Sequence, residues 1–446
     1  MLPIVETPLT IQKWMNEYRS IFCRDEGFDH VSRFVTGLII SPNKTLQGIY
    51  DLQRWDGVKP SRRAMHEAVF EAGWNADDIM RQHQTVVSKD HRGRGREVIG
   101  LDWTLCHHER GPNIYGVHKG YDYVEERYCL LQTVLTATIA NSDIVDGIDV
   151  VVQKPGYEQK EKAYLNATVK QGYTDMASVQ NRLAELLHYD INRRLYKTRT
   201  DLYVEMVDRI EKEGAFPYAN YAFDNGVLSF PLAQLIEKNN KQWVSELEVS
   251  RNIMWEGQWE RVDNVAAMLR AAHPESFRLV HVLCRNGEKK LYWAFTKVVR
   301  LKKHGRKRLV IVHETEELTD KPRFLLSSAQ HWGSGRIIET WNYRWSIEVF
   351  HEFSKQQTGL ESAQLRNQEA VERHLRLSCV AQSILQRVSA PVSTSEKFEF
   401  ANGKTTIGQK WRTITREIFR SLLLKISQFV KDGMSIDYMM EVLMPA

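Results

Sequence analysis

The chain has no apolar run long enough to cross a membrane. Its longest nearly apolar stretch, around Leu130 to Ala140, is interrupted by Gln132 and by threonines, well short of the roughly 18 residues a spanning helix needs. A basic start followed by an apolar segment is also missing from Met1 to Ser20, so no secretory leader is expected and the chain is expected to stay inside the cell. Cysteine is scarce. The five present (Cys23, Cys106, Cys129, Cys284, Cys379) are odd in number and scattered, without a C-x-x-C pair, which argues against a disulfide framework and for reduced core thiols. A zinc site built on Cys106 with His107 and His108 is disfavoured, because adjacent histidines lack the spacing of a usual closed site. Charge of one sign is missing as well: 61 basic residues against 56 acidic leave only +5. Net charge therefore names no partner, and the placement of the basic residues decides.

What is there is an ordinary globular composition, 42% hydrophobic and 26% charged, over 446 residues, enough chain for two to four domains. To about residue 95 the pattern is helical. Thr45, Ser61 and Asn75 stand as N-cap residues ahead of LQGIYDLQRW, RRAMHEAVFEAG and ADDIMRQH. Arginines at a helix start suit a DNA-binding module, and plain helical packing equally well. The polar stretch SKDHRGRGR (88–96) reads as an exposed linker. Strands are then expected at EVIGLDWTL (97–105), IYGVHK and QTVLTATIA, with a turn at Pro112 and Asn113. Helices follow over 175–196 and 199–213, then a strand, FPYANYAFD, ending in Asp224. A β-rich block over 256–328 contains FRLVHVLC, KKLYWAFTKVVRL and KRLVIVHE. From Gly335 the chain is helical again, broken by the Ser/Thr/Pro-rich SAPVSTSEK.

The most informative segment is WNYRWSIEVFHEFSK (341–355). At about 100° per residue, Glu348 lies about 40°, Lys355 about 20° and Trp341 about 60° from Arg344 on a continuous helix. One face thus carries a row of Arg, Glu and Lys, while Val349, Phe350 and Phe353 are expected to pack behind it. Alone, Arg344 and Glu348 are an i, i+4 ion pair worth a few tenths of a kcal/mol. Asp102 and Asp224, however, each close an apolar strand. One such aspartate is usually a turn former. Two of them gathered with Glu348 would repel unless hard cations lay between them. A pair of Mg²⁺ ions about 3.5–4 Å apart would remove the repulsion, activate a water or a 3′-hydroxyl, and stabilise the leaving oxygen of a phosphodiester.

The string R-x-x-x-E-x-x-x-x-x-x-K, here Arg344, Glu348 and Lys355 within R-W-x-I-E-x-F-H, resembles the YREK signature of DDE transposases of bacterial insertion sequences. IGLDWT is similar to the family's motif at its first catalytic Asp, AFDNGVLS to that at its second, and AMHEAVFEAGWNADDI to an upstream helical segment. The resemblance covers roughly residues 30–390. It departs at Trp341, where the family has Tyr, so that hydroxyl is missing, and at Trp103, where a second Asp is frequent.

That resemblance implies an α/β fold: a ribonuclease-H-like mixed sheet with flanking helices, interrupted by a β-rich insertion, plus helical N- and C-terminal regions. The expected parts are a helical DNA-binding region (1–95), the catalytic core in two pieces (96–255 and 329–388), the insertion (256–328) and a C-terminal helical region (389–446). It implies a DNA transposase that cuts an element's ends and joins the 3′-OH to target DNA. Asp102, Asp224 and Glu348 would be its catalytic residues and hold two Mg²⁺ ions, with Mn²⁺ able to substitute. Arg344 and Lys355 would grip DNA phosphates. The expected partners are double-stranded DNA, as terminal inverted repeats and target, and a second copy of the chain on paired ends. The expected place is the prokaryotic cytoplasm, with the nucleoid. Two alternatives stay open: a ribonuclease-H-like endonuclease without strand transfer, and a transposase-derived DNA-binding protein without catalysis.

Six basic residues crowd RLKKHGRKR: Arg300, Lys302, Lys303, Arg306, Lys307 and Arg308. They read either as a solvated hairpin tip or as a DNA backbone grip. The resemblance also makes Trp255, Trp259, Trp293 and Trp332 candidates for stacking on a flipped base.

Overall fold

A computed structural model describes residues 2–54, 59–93, 95–109, 111–122, 125–154, 164, 167, 175–285, 287–390 and 405–444, without the side chains of 188, 189, 192 and 193. Most of SAPVSTSEK, and Arg94 of SKDHRGRGR, lie outside the described residues. The fold is mixed α/β around a mixed sheet. Its strands are β1 (Val98–His107), β2 (Val117–Asp122), β3 (Arg127–Ala140), β4 (Val145–Val152), β5 (Asn220–Phe223) and β6 (Trp243–Glu246). They continue as β7 (Asn252–Trp255), β8 (Gln258–Arg261), β9 (Arg278–Leu283), β10 (Lys289–Leu301), β11 (Gly305–His313) and β12 (Arg323–Ser327). The hydrogen-bonded path runs β2-β3-β1-β5-β6-β12-β11-β10-β7-β8, with β4 also on β3 and β9 also on β10. β1 is antiparallel to β3 and parallel to β5, and β5 is parallel to β6.

Among the described residues four strands, not the expected three, precede the helices Met176–Leu195 and Arg199–Glu213. The extra one, β4, hides in the sequence because Asp146 and Asp149 interrupt its apolar run. Both are buried and paired: Asp149 accepts from Arg209 Nη2 at 2.7 Å, and Asp146 takes both amino groups of Arg387 at 2.6 and 2.9 Å. His91 Nε2 lies 3.1 Å from the same carboxylate. Within the stretch 88–96, Lys89, Asp90, Arg92, Gly93 and Gly95 are exposed as a linker would be, while His91 is buried and Arg96 pairs with Glu339, so the segment is anchored at two points.

Thr45, Ser61 and Asn75 do cap their helices, each accepting a backbone N–H from two or three residues on. These N-terminal helices do not close on themselves. Phe34, Leu38, Met65 and Val69 share one core with Leu377 and Ile384 of the helix Gln368–Arg387 and with Ile414 and Ile418 of Ile407–Lys431. The β-rich block also contains a helix, Val262–Ala272, that sequence alternation concealed. Its expected start falls between Trp255 and Gln258, which face each other in one hairpin. No described helix is long and apolar enough to cross a membrane.

One glycine sets the height of a helix above the sheet. The β3–β4 register shifts between Ala137 and Thr138, and Gly147 sits at that irregularity. A Cβ there would lie 2.5 Å from Phe350 Cζ and 3.1 Å from Cys379 Sγ. Gly147→Ala is expected to cost about 1–3 kcal/mol through overpacking, read as a fall in urea midpoint, and to displace the helix that bears Phe350.

Candidate active site

β1 pairs with β3 along its whole length, from Val98↔Ala140 to His107↔Leu131. It pairs with β5 only from Val98 to Leu101. Asp102 is thus in mid-strand rather than at the strand end expected from the sequence. It is the first residue beyond the parallel partner, at the open mouth left where β5 stops. Leu101 is in register with Phe223, and Phe223 with Ser245. The next residues along these three parallel strands are Asp102, Asp224 and Glu246. Adjacent strands lie about 4.8 Å apart, so three carboxylates stand in a row across the sheet.

The fourth carboxylate arrives on a helix. Instead of one continuous helix through 341–355, two are present, Ser334–Asn342 and Trp345–Thr358. Between them the backbone tightens to i→i+3 bonding. Arg344 N–H donates to Trp341 O at 2.9 Å, Ser346 N–H to Tyr343 O at 3.0 Å and Ile347 N–H to Arg344 O at 3.0 Å. The helix packs through Ile347, Phe350, His351, Ser354 and Thr358. Val349 and Phe353, expected on the packed side, are only half-buried. Gly100 of β1 lies under the helix: a Cβ there would stand in ordinary contact with Ile347 Cβ at 3.5 Å and closer, at 3.1 Å, to Thr138 Oγ1 of β3. His351 Nε2 lies 2.6 Å from Thr136 Oγ1, and that hydroxyl donates to the Asp102 carbonyl at 3.2 Å. Burial, helped by the Lys355 ammonium, holds His351 neutral by pushing its pKa down to about 3.

Arg344 ties the constellation together. Its Nη1 is 2.7 Å from Glu348 Oε1 and 3.9 Å from Asp102 Oδ2, while its guanidinium lies 5.2 Å from the Trp341 ring centroid. Burial raises the Asp102 carboxyl to about 6. The Trp103 amide, donating at 2.8 Å, and Arg344 pull against that rise, whereas Asp224 and Glu348 add to it. Glu246 is likewise raised, first by burial and then by the neighbouring Asp224 carboxylate. Sequence reasoning missed Glu246, although WVSE is an apolar strand-length run ending in an acid, the same signal that marked Asp224. Asp224 Oδ1 and Arg344 Nε are buried without a hydrogen-bond partner among the described residues. An adjoining cleft of about 880 Å³ is lined by Glu246, Arg323, Trp341, Arg344 and Trp345.

Lys355 sits apart from this group. Its Nζ donates to Leu105 O at 2.6 Å and pairs with Glu361 at 2.9 Å, three residues further along β1 than Asp102. The basic run does form a hairpin tip, with Leu301 opposite Gly305. Arg300, Lys302, Lys303 and Arg306 are exposed there. Lys307 is buried against Glu237 at 3.1 Å, and Arg308 donates to Gln330 O, so these two serve the fold. Of the four tryptophans considered, Trp255 and Trp332 are buried, Trp293 is half-buried, and Trp259 is 37% exposed with Lys302 Nζ 5.3 Å from its ring. Trp345, not considered from the sequence, is 61% exposed at the rim of the cleft.

The donors around Asp102 are all carboxylate oxygens, and a buried one lacks a partner. Carboxylate oxygens are the donor type that hard divalent cations take, although among the described residues no three of these acids bring an oxygen each within 4.8 Å of one another. No family model matches the chain, and no curated protein matches it either.

Proposed function

We propose that the chain is a DNA transposase of the DDE type, cutting phosphodiesters at an element's ends and joining the freed 3′-OH to target DNA. The observation that carries this reading is the convergence of Asp102 and Asp224, side by side on parallel strands, with Glu348 on a helix that Arg344 ties to Asp102. The strand order β4-β3-β1-β5-β6 supports a ribonuclease-H-like core, because β1 is antiparallel to β3 and parallel to β5. Asp102, Asp224 and Glu348 would hold two magnesium ions, with Glu246 beside Asp224. Bound there, the ions supply Lewis-acid stabilisation of the entering and leaving oxygens. Arg344, which lines the cleft, would contact a phosphate there. The exposed tip residues Arg300, Lys302, Lys303 and Arg306 would track the DNA backbone; a second copy on the paired end completes the reading.

The direct test incubates the protein with DNA flanking its own gene and Mn²⁺, then maps nicks and joined products. Nicks at the element's termini followed by end joining are expected. Nicking without joining would instead mark an endonuclease, and binding without nicking a DNA-binding protein that has lost catalysis. The tip makes a separate prediction. Neutralising Arg300, Lys302, Lys303 and Arg306 together should flatten the plot of log binding constant against log salt by roughly 3 to 4 units, at about 0.9 for each phosphate left without its basic side chain. Fluorescence anisotropy over a salt series measures it, and an unchanged slope removes the tip from the DNA interface.

A further inference from the structure

A second cluster lies along the same strand as Asp102 and has different chemistry. His107 is at the end of β1, Asp122 at the end of β2, and Cys129 near the start of β3. The pairings His107↔Leu131 and Gly120↔Cys129 bring these strand ends together. One ligating atom from each residue lies within 4.8 Å of the others. His107 Nε2 is 2.6 Å from Asp122 Oδ2, and the Asp122 side chain is only 4% exposed. On the far side of the imidazole, Glu361 Oε1 stands 4.0 Å from Nδ1 and is itself held by Lys355 at 2.9 Å.

We propose that His107, Asp122 and Cys129 form a zinc site, with Glu361 as the carboxylate that orients His107. A thiolate, an imidazole and a carboxylate together suit a borderline ion such as zinc and not the hard magnesium of the Asp102 site. Zinc–ligand bonds of about 2.0–2.3 Å require the nitrogen and oxygen to sit roughly 3.3 Å apart, a small opening of the present hydrogen bond. A metal-binding histidine ordinarily gives its other ring N–H to a carboxylate, which fixes its tautomer, and Glu361 is placed for that. Binding breaks the His107–Asp122 hydrogen bond, moves the ring proton from Nε2 to Nδ1 where it faces Glu361, forms three metal–ligand bonds and releases the Cys129 thiol proton to solvent. Three protein ligands leave a fourth position for water. The ion would fasten the β2–β3 hairpin to β1 and, through Glu361, to Lys355. None of this depends on the proposed DNA chemistry.

The test is a cobalt titration of the metal-stripped full chain in excess Mg²⁺, reading the thiolate-to-cobalt charge-transfer band, alongside zinc content after gel filtration. Wild type should show the band and retain one zinc per chain. Cys129→Ser and His107→Ala should lose both. Asp102→Asn should keep both, which separates this site from the magnesium site. Glu361→Gln should weaken zinc binding by about 10- to 100-fold. Absence of the band in wild type overturns the site whatever the variants do, and so does a band that survives Cys129→Ser.

Discussion

Asp102→Asn is expected to lower metal-dependent nicking by roughly 10³-fold or more, about 4 kcal/mol at the barrier, while leaving the melting temperature unchanged or higher. The two expectations have one cause. Asp102 is largely buried beside Asp224 and Glu348, and that setting pushes its carboxyl to about 6. Such a charge is a burden to the fold unless a cation shares it. An amide of the same shape removes the repulsion but cannot replace an anionic ligand, so activity falls as stability is spared. A nicking assay with Mn²⁺ and a thermal melt on the same preparation decide it. Retained cleavage in a variant that melts early would reduce Asp102 to a structural residue.

Asp146→Ala should do the opposite, destabilising by about 3–5 kcal/mol without touching the cleft. The carboxylate is fully buried between Arg387, at 2.6 and 2.9 Å, and His91 at 3.1 Å. Removing it leaves the guanidinium in the interior with one ion-pair partner among the described residues, Asp90 at 2.8 Å, and the Ser383 carbonyl at 3.1 Å. Burial alone would raise the Asp146 carboxyl, but Arg387 and His91 outweigh it and hold the group far below the ordinary carboxylate value. A folded-state pKa depressed in this way gives stability that is complete above the unfolded value of 3.8 and lost as the pH falls toward the folded one. Wild type should therefore lose denaturant stability steeply below about pH 4, and the variant less so. Urea midpoints measured between neutral and acid pH test both statements. Equal slopes in the two proteins would remove Asp146 as the source.

The parts of the fold that could be read in the sequence were those where local pattern and burial agree. Three N-caps stood at the right residues, and the hairpin around Gly305 was evident from two alternating runs flanking a basic turn. β4 was lost because two buried aspartates mimic a polar loop, and only distant Arg209 and Arg387 make them tolerable. At the site, Asp102, Asp224 and Glu348 could be named because their residue types and local settings are distinctive. Register could not be. That Asp102 lies in mid-strand follows from β1 pairing with β3 as far as His107, beyond the end of β5, and Glu246 joins the row only because Ser245 aligns with Phe223. Likewise, the 341–355 periodicity carried no sign of the tightened turn at Arg344, nor of Glu361 drawing Lys355 away. Cys129 is remote in sequence from His107, and only the pairing of β1 and β2 with β3 sets the two side by side.

Because Val244, Ser245 and Glu246 of β6 are bonded to β12, and one core runs from Ile99 and Leu101 through to Leu309 and Ile311, the block around 256–328 is not an appendage. Calorimetry should record a single melting transition for the two, with no intermediate that keeps one half intact. Expressed alone, the 256–328 fragment would present the bare edge of β12 to other chains and aggregate. The same continuity is expected to hold the hairpin tip at one distance from the acids, set when the strands pair.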